Sequence, residues 1–370
     1  MINSLGINKS PKDTKVVVAM SGGVDSSTVA VLLKEQGYDV IGITLQLYDH
    51  GKVVSKGSKT CCAGTDIMDA KNVAEKHGFP HYVLNYETLF RESVIDDFAD
   101  SYLRGETPIP CVRCNQSVKF KDLMKVAYDL NADALATGHY VQRKLDKNGH
   151  AQLCKAIDEG KDQSYFLFST TKEQLNFLRF PLGGWTKEKT RSEAVRLGIA
   201  IADKPDSQDI CFVPDGDYAK IIGKIRPSAF KSGDIVDLQG NVVGRHDGII
   251  NYTIGQRRGL GISNKDPLYV VKLDAAKNQV IVGLEKDLEK QELKIKELNW
   301  LADDEILTKP FKAFVRLRSS QREVEANILV NEDLKSAKIE LLAATKSITP
   351  GQACVIYDGE VVLGGGWITN

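Results

Sequence analysis

A short glycine-rich stretch set between a strand and a helix decides what this chain can fold into. Residues Ala19-Met20-Ser21-Gly22-Gly23-Val24-Asp25-Ser26-Ser27 follow the β-branched run Lys15-Val16-Val17-Val18 and precede Thr28-Val29-Ala30-Val31-Leu32-Leu33. A short β-branched run predicts a buried strand, and the apolar run beyond the turn predicts a helix. Two adjacent glycines let the backbone turn sharply and approach a ligand. The turn amides and the helix N-terminus then form an anion site. Ser21, Ser26 and Ser27 add hydroxyl donors. No Gly-Lys-Ser/Thr follows, so this is not the usual P-loop of ATPases. The plainer alternative is a Gly-Ser turn that caps a helix, with Asp25 favouring the positive end of its dipole.

Strand and helix keep alternating after the loop. Residues 40–47 read as a second buried strand, 65–77 as a helix with Thr65 as N-cap and Gly78 as its stop, 81–84 as a third strand, and 87–102 as an amphipathic helix. Residues 134–140 read as a further strand ending in a glycine turn. This alternation predicts an α/β fold, a parallel sheet with helices on both faces. Ligands on such sheets bind at the carboxyl ends of strands, where the first loop already lies. Gly138 would let the backbone approach a nucleotide there. His139 is either a structural histidine or a contact to substrate.

The chain has seven cysteines, an odd number at uneven spacing. It shows no apolar run of membrane-spanning length and no signal-like start, so a cytoplasmic location is expected. In that compartment cysteines suggest redox, metal or nucleophile roles before structural disulfides. Cys61-Cys62 read as incidental or weakly redox-active, and Cys154 as packing. In Thr107-Pro108-Ile109-Pro110-Cys111-Val112-Arg113-Cys114-Asn115 the prolines predict an extended approach. A helix over about 115–130 would then place Cys114 near its N-terminus, with a depressed pKa. Cys111-x-x-Cys114 reads as a redox pair, half of a metal site, or a nucleophile with a neighbour. Cys211 falls in a polar loop bounded by Pro205 and Pro214.

Beyond residue 216 the pattern changes. Strand-like pieces at 233–236, 248–254, 268–273 and 278–283 suggest a small mixed domain. Evenly spaced strands from 294 onward suggest an antiparallel β-barrel. The expected domains are 1–216, 217–290 and 291–370. Formal net charge is zero, so the chain does not advertise a nucleic-acid binder, and any basic surface must be local. Arg257-Arg258, in a glycine-bounded turn, are a candidate phosphate contact or simply solvated. Arg316 and Arg318 alternate on one predicted strand face and could reach one ligand, or be an ordinary solvated face.

The loop Ser-Gly-Gly-x-Asp-Ser-Ser resembles the pyrophosphate (PP) loop of N-type ATP pyrophosphatases, which cleave ATP between the α and β phosphates and adenylate a carbonyl oxygen. Further motifs agree in order: residues 107–115, Ala-Thr-Gly-His-Tyr (136–140), Lys-Asp-Gln-Ser-Tyr-Phe-Leu (161–167), Asp-Ser-Gln-Asp-Ile-Cys-Phe (206–212), Tyr-Thr-Ile-Gly-Gln-Arg-Arg-Gly-Leu (252–260) and Thr-Pro-Gly-Gln (349–352). Together they resemble the tRNA-specific 2-thiouridylases.

That resemblance implies an adenine nucleotide alpha hydrolase-like fold and tRNA-uridine 2-sulfurtransferase activity, with ATP and Mg²⁺. ATP would bind Ala19, Met20, Ser21, Gly22, Gly23, Val24, Asp25, Ser26, Leu45 and Gly138. Cys211 would carry sulfur as a persulfide, and Cys114 would act as nucleophile or resolving thiol. The implied tRNA contacts are Lys161, Asp162, Gln163, His139, Arg316, Arg318 and Gln352. Implied partners are tRNA and a sulfur-donor protein of a persulfide relay from a cysteine desulfurase, with the free protein a monomer away from membranes. Many members of the family have aspartate where this chain has Cys111. The departure opens an alternative, a [4Fe-4S] cluster on Cys111, Cys114 and Cys211. Rival readings are an amidating ATP pyrophosphatase, which needs neither Cys114 nor Cys211, and a non-catalytic tRNA-binding or sulfur-carrier module.

Overall fold

The computed structural model describes residues 2–48, 63–206, 210–213, 216–346 and 348–369. Cys61, Cys62, Ser207, Gln208, Asp209 and Pro214 lie outside the described residues. The chain divides into two compact units, one of residues 1–93, 111–214 and 360–362, the other of 94–110, 215–359 and 363–370.

The first unit is built on a parallel sheet. Its strands are β1 (Lys15–Ala19), β2 (Asp39–Gln46), β3 (His81–Asn85) and β4 (Ala134–Thr137), followed by the hairpin β5 (Val141–Leu145) and β6 (Ala151–Lys155), and then β7 (Leu178–Arg179). The sheet order is β3-β2-β1-β4-β7. Val17 pairs with Ile41 on one side and with Leu135 on the other. The chain runs outward from β1 through β2 to β3, then returns to place β4 on β1's other flank. That reversal opens a crevice beyond the carboxyl ends of β1 and β4. Val16, Val17 and Val18 are fully buried, as a central parallel strand requires.

Helix α1 (Val24–Glu35) follows β1 after a four-residue turn, and α2 (Ala63–His77) leads to β3. Thr65 lies inside α2 rather than capping it, so the helix begins earlier than its sequence predicts; Gly78, at φ +70°, ends it as expected. The predicted 87–102 helix is continuous but carries a π-helical stretch over Arg91–Ile95.

In the second unit a mixed sheet contains β8 (Gly233–Val236), β9 (Val242–His246), β10 (Tyr269–Asp274) and β11 (Gln279–Gly283), in the order β10-β11-β8-β9. The strand predicted over 248–254 is instead a short 3₁₀ turn, Ile249–Asn251. Its apolar residues Ile249, Tyr252 and Ile254 are buried all the same. The sheet position falls to β9, whose exposed residues Val242 and Val243 leave no core-facing alternation to read.

Strands β12 (Glu289–Trp300), β13 (Phe311–Arg316), β14 (Val324–Val330), β15 (Ser336–Lys346), β16 (Ala353–Asp358) and β17 (Val361–Ile368) form an antiparallel barrel, closed by pairing of β12 with β17. Closure removes the sheet edges that an open array would leave. Among the described residues no helix is long and apolar enough to cross a membrane.

Candidate active site

The loop between β1 and α1 is packed so closely that a side chain at its first glycine would have no room. Gly22 has φ +75°, and a Cβ there would sit 2.1 Å from the Asp66 carbonyl oxygen. Across the crevice, a Cβ on Gly138 would come 2.8 Å from the Ser26 amide nitrogen. The turn after β4 therefore packs directly against the backbone of the first turn of α1. The Ser26 hydroxyl accepts from the Ser21 amide at 3.1 Å and lies 3.2 Å from the Ser21 hydroxyl, fixing the turn. Met20 is buried and its amide donates to the Ile43 carbonyl. Val24 is buried at the helix start, Ala19 ends β1, and Leu45 is half-buried near the end of β2.

Charge is organised around Asp25. Lys187, nearly buried at the start of helix α3 (Lys187–Arg196), lies 2.7 Å from its carboxylate, and the Tyr140 hydroxyl donates to it at 2.8 Å. Burial, with the nearby carboxylates, holds the Tyr140 hydroxyl protonated. The Lys187 ammonium also contacts Asp206 at 2.8 Å. Lys161 and Arg191 reach Asp206 as well, at 2.8 and 3.2 Å. Lys204 donates to the Gly22 carbonyl at 3.0 Å and pairs with Asp66 and Asp69 at 2.6 Å each. No sequence motif singles out Lys187 or Lys204. A lysine opening a helix normally reads as solvated, and only tertiary structure reveals its carboxylate partners.

The cysteines correct one expectation. The helical run starts at Pro110, not near Asn115, because proline is well suited to the first helical position. Pro110–Arg113 is one α-turn, and Cys114–Asp122 continues it as a π-helix. Cys114 is thus a full turn inside the helix and buried. Its thiol pKa is raised by burial, partly offset by Lys119, rather than depressed by a helix N-terminus. Cys111 is exposed. Cys211 is exposed by surface area, which tempers the desolvation that, with the nearby Cys114 and Cys111, pushes its thiol up to about 12. The Tyr48 hydroxyl donates to the Cys211 carbonyl at 2.8 Å, and Phe212 packs edge-on against Phe90.

Lys119, within the π-helical stretch, interacts electrostatically with all three cysteines. Desolvation lowers its pKa, but Cys114, Cys111 and Cys211 together more than reverse that, and it stays charged. No disulfide joins these cysteines. Their three sulfurs do not all lie within 4.8 Å of one another, whereas three thiolates on one tetrahedral metal would be about 4 Å apart. His139 also senses Lys119: burial first, then that charge, lowers its pKa to about 3, so the ring is neutral. It lies 2.9 Å from the Thr137 hydroxyl and edge-on to Phe120.

The other expected contact residues all make bonds within the protein. Asp162 accepts from the Ala156 and Ser164 amides, and the Gln163 side chain accepts from the Tyr140 amide. Gln352 donates to the Thr107 carbonyl at 2.9 Å. Strand β13 ends at Arg316, so Arg316 and Arg318 do not share a strand face. Arg316 pairs with Glu323 at 2.8 Å and covers the Tyr357 ring; Arg318 donates to the Thr349 hydroxyl at 2.7 Å.

Comparison with known proteins decides the family. A model described as the tRNA methyl transferase HUP domain matches residues 14–215, one described as its PRC-barrel domain matches 220–284, and an aminomethyltransferase beta-barrel domain matches 290–368. The chain is 60% identical to the tRNA-specific 2-thiouridylase MnmA of Rickettsia massiliae over 98% of this chain and 99% of that protein. It is 56% identical to the MnmA of Roseobacter denitrificans over 99% and 97%. The chain belongs to the tRNA-specific 2-thiouridylase family.

Proposed function

We propose that this protein is a tRNA-uridine 2-sulfurtransferase that replaces the C2 oxygen of the wobble uridine with sulfur, using ATP. The observation that carries the reading is a set of three cysteines, Cys111, Cys114 and Cys211, each electrostatically coupled to Lys119, in the unit that bears the phosphate loop. An amidating enzyme has no use for such thiols. The urea-type carbonyl of uridine is a poor electrophile, so its oxygen must become a leaving group. ATP on Ala19–Ser26, Leu45 and Gly138 adenylates that oxygen and releases pyrophosphate. Mg²⁺ would neutralise phosphate charge. The carboxylates beside the loop already hold lysines, which fits an ion carried mainly by the phosphates.

Sulfur arrives on Cys211 as a persulfide from a donor protein fed by a cysteine desulfurase. In one route the terminal sulfur attacks C2, AMP leaves, and the Cys114 thiolate attacks Cys211 Sγ; the S–S bond to the delivered sulfur breaks and a Cys114–Cys211 disulfide forms. In the other, the Cys114 thiolate first attacks Cys211 Sγ, forming the Cys114–Cys211 disulfide and freeing hydrosulfide, which then attacks C2 and expels AMP. Lys119 favours whichever thiol is ionised. The uridine is flipped out of its stack to reach the site. Lys161, Asp162, Gln163, His139, Arg316, Arg318 and Gln352 form or support the tRNA-facing surface. We assign catalysis to 1–216, a central tRNA-binding domain to 217–290 and a C-terminal β-barrel domain to 291–370, with tRNA contacts also on 1–216 and on the barrel, in the cytoplasm, with the free protein a monomer.

The test incubates protein, tRNA, ATP and Mg²⁺ with a persulfide donor, and in a parallel anaerobic arm with sulfide after cluster reconstitution, then analyses nucleosides by mass. 2-Thiouridine is expected, with loss of product in Cys211→Ser; no 2-thiouridine under aerobic or anaerobic conditions overturns the reading. The second reading, a [4Fe-4S] cluster, has the same three cysteines in its favour as a donor set. Such a cluster would offer an open iron to bind sulfide. A broad visible absorption band after anaerobic reconstitution, lost in Cys111→Ser, is its signature.

A further inference from the structure

The peptide between Gly22 and Gly23 is free to flip by its own chemistry. A flip changes ψ of the first residue and φ of the second, and neither glycine has a Cβ to resist it. In the observed orientation Gly22 has φ +75° and Gly23 has φ −92°. Lys204 holds that orientation by donating to the Gly22 carbonyl at 3.0 Å. Its ammonium is fixed in turn by Asp66 and Asp69 of α2, at 2.6 Å each. Burial works against its charge, and the hydrogen bonds to those two carboxylates more than offset it. The backbone that carries the lysine is anchored as well, since Arg191 of α3 donates to the Ala202 and Lys204 carbonyls at 2.8 and 3.1 Å. The Gly22–Gly23 peptide is trans, so its C=O and N–H point in opposite directions. The Gly23 N–H is therefore turned away from Lys204, and it has no hydrogen-bond partner among the described residues. Gly23 is the N-cap of α1, at the end of the helix that favours anions.

We propose that Lys204 is a positioning residue that, by holding the Gly22 carbonyl, keeps the Gly23 N–H aimed at the phosphates of a bound nucleotide. Without that hold the carbonyl can swing to the side where the N–H stood. A donor for phosphate is then replaced by an acceptor that repels it. Position 23 shows why a lock is needed. A Cβ there would meet only the Ser21 hydroxyl, at 3.4 Å, and a φ of −92° is open to any residue. Neither space nor backbone angle in the observed loop demands glycine at 23, but glycine leaves the flipped peptide accessible, and Lys204 closes that route. The inference rests on the nucleotide site assigned above and not on the sulfur chemistry.

The experiment is calorimetric titration of a non-hydrolysable ATP analogue with Mg²⁺ into the unmodified protein, Lys204→Met and Lys204→Arg, each repeated with Gly23→Ala. Lys204→Met should bind the analogue about tenfold more weakly, and Lys204→Arg should recover part of the loss. Lys204→Gln replaces Lys204→Met if the latter fails to fold. Gly23→Ala disfavours the flipped peptide, which needs a left-handed φ at that position, so in its background Lys204→Met should cost less than about threefold. The comparison separates the lock from plain charge. Baring Asp66 and Asp69, or removing a direct contact between Lys204 and phosphate, would cost the same in both backgrounds. If Gly23→Ala itself abolishes binding, the amide spectrum of protein isotopically labelled on glycine nitrogen decides, with the Gly23 resonance identified by its loss in Gly23→Ala. That resonance should be single in the unmodified protein and split or exchange-broadened in Lys204→Met. Unchanged affinity in folded Lys204→Met, an equal loss in both backgrounds, or a single sharp Gly23 resonance in Lys204→Met would overturn the proposal. Failure of the unmodified protein to bind the analogue would instead overturn the nucleotide site, and the purpose of the lock with it.

Discussion

Gly138 shows how much a single missing side chain decides. Its neighbours are the Ser26 nitrogen and the Asp25 carbonyl carbon, both backbone, so an added methyl cannot be met by a rotamer change. Gly138→Ala should weaken nucleotide binding about tenfold, about 1.4 kcal/mol; calorimetry would show an unchanged affinity if the loop tolerates the methyl. Lys119 acts on the thiols in the opposite sense to burial, since its charge lowers the pKa of both Cys114 and Cys211. Lys119→Met should therefore move the pH profile of Cys211 alkylation upward by about one unit, about tenfold slower at fixed pH. A profile that stays in place would show that the charge does not reach the thiol. His139 gives a stability prediction. Its folded pKa lies near 3, below the ordinary 6.5, so the unfolded chain takes up a proton first as pH falls. The stabilisation is whole above pH 6.5 and is lost progressively from there toward pH 3. Between about pH 7 and pH 5 the loss should be at most about 2 kcal/mol. Denaturant titrations of His139→Gln should show a smaller loss over that interval than the parent.

At the scale of elements, the strands and helices that frame the crevice are legible because each carries one clear period. Val16-Val17-Val18 can only be a buried strand, and Gly22-Gly23 can only be a turn. The start of the cysteine helix is not legible because Pro110 is ambiguous: before a helix it reads as a stop, and at its first position it is a start. That one misplacement reverses the expected pKa shift of Cys114, since a helix interior buries what a helix N-terminus would have exposed. The π-helical stretch at Cys114–Asp122 has no sequence signature, yet it carries both Cys114 and Lys119. Gln352 is legible as part of a motif but not in its partner, because Thr107 lies far away in sequence. The turn it belongs to is exacting: Gly351 has φ +87°, and a Cβ there would come 2.9 Å from the Thr107 amide nitrogen. The Thr107 amide in turn donates to the Pro350 carbonyl at 2.8 Å. Gly351→Ala should cost about 1–3 kcal/mol of stability through strain and crowding, seen as a lowered denaturation midpoint. An unchanged midpoint would mean that this turn is not a fixed part of the unit.

For the whole molecule the puzzle is how a chain with zero formal net charge holds a polyanion. Lysine plus arginine equal aspartate plus glutamate, at 49 each, so attraction must come from local arrangement. Much of the basic complement near the candidate site is already committed: Lys187, Lys161 and Arg191 to Asp206, and Lys204 to Asp66 and Asp69. In the barrel, Arg316 is committed to Glu323. Arg257 and Arg258 differ. Both are exposed, in a turn whose glycines Gly255 and Gly259 take φ of +88° and +76°. Paired guanidinium groups on such a turn suit phosphates rather than base edges, because they offer charge without a groove-fitting scaffold. Each cationic side chain withdrawn from a phosphate lowers the slope of log affinity against log salt by about 0.7 to 0.9. Replacing Arg257 and Arg258 with alanine should therefore weaken tRNA binding at low salt and flatten that slope by about one to two. The effect should be equal for substrate and non-substrate tRNAs, because phosphates carry no sequence. A variant that kept the parent's salt slope would show that this turn lies away from the RNA. One that lost affinity for substrate tRNA alone would show that the turn reads sequence or shape.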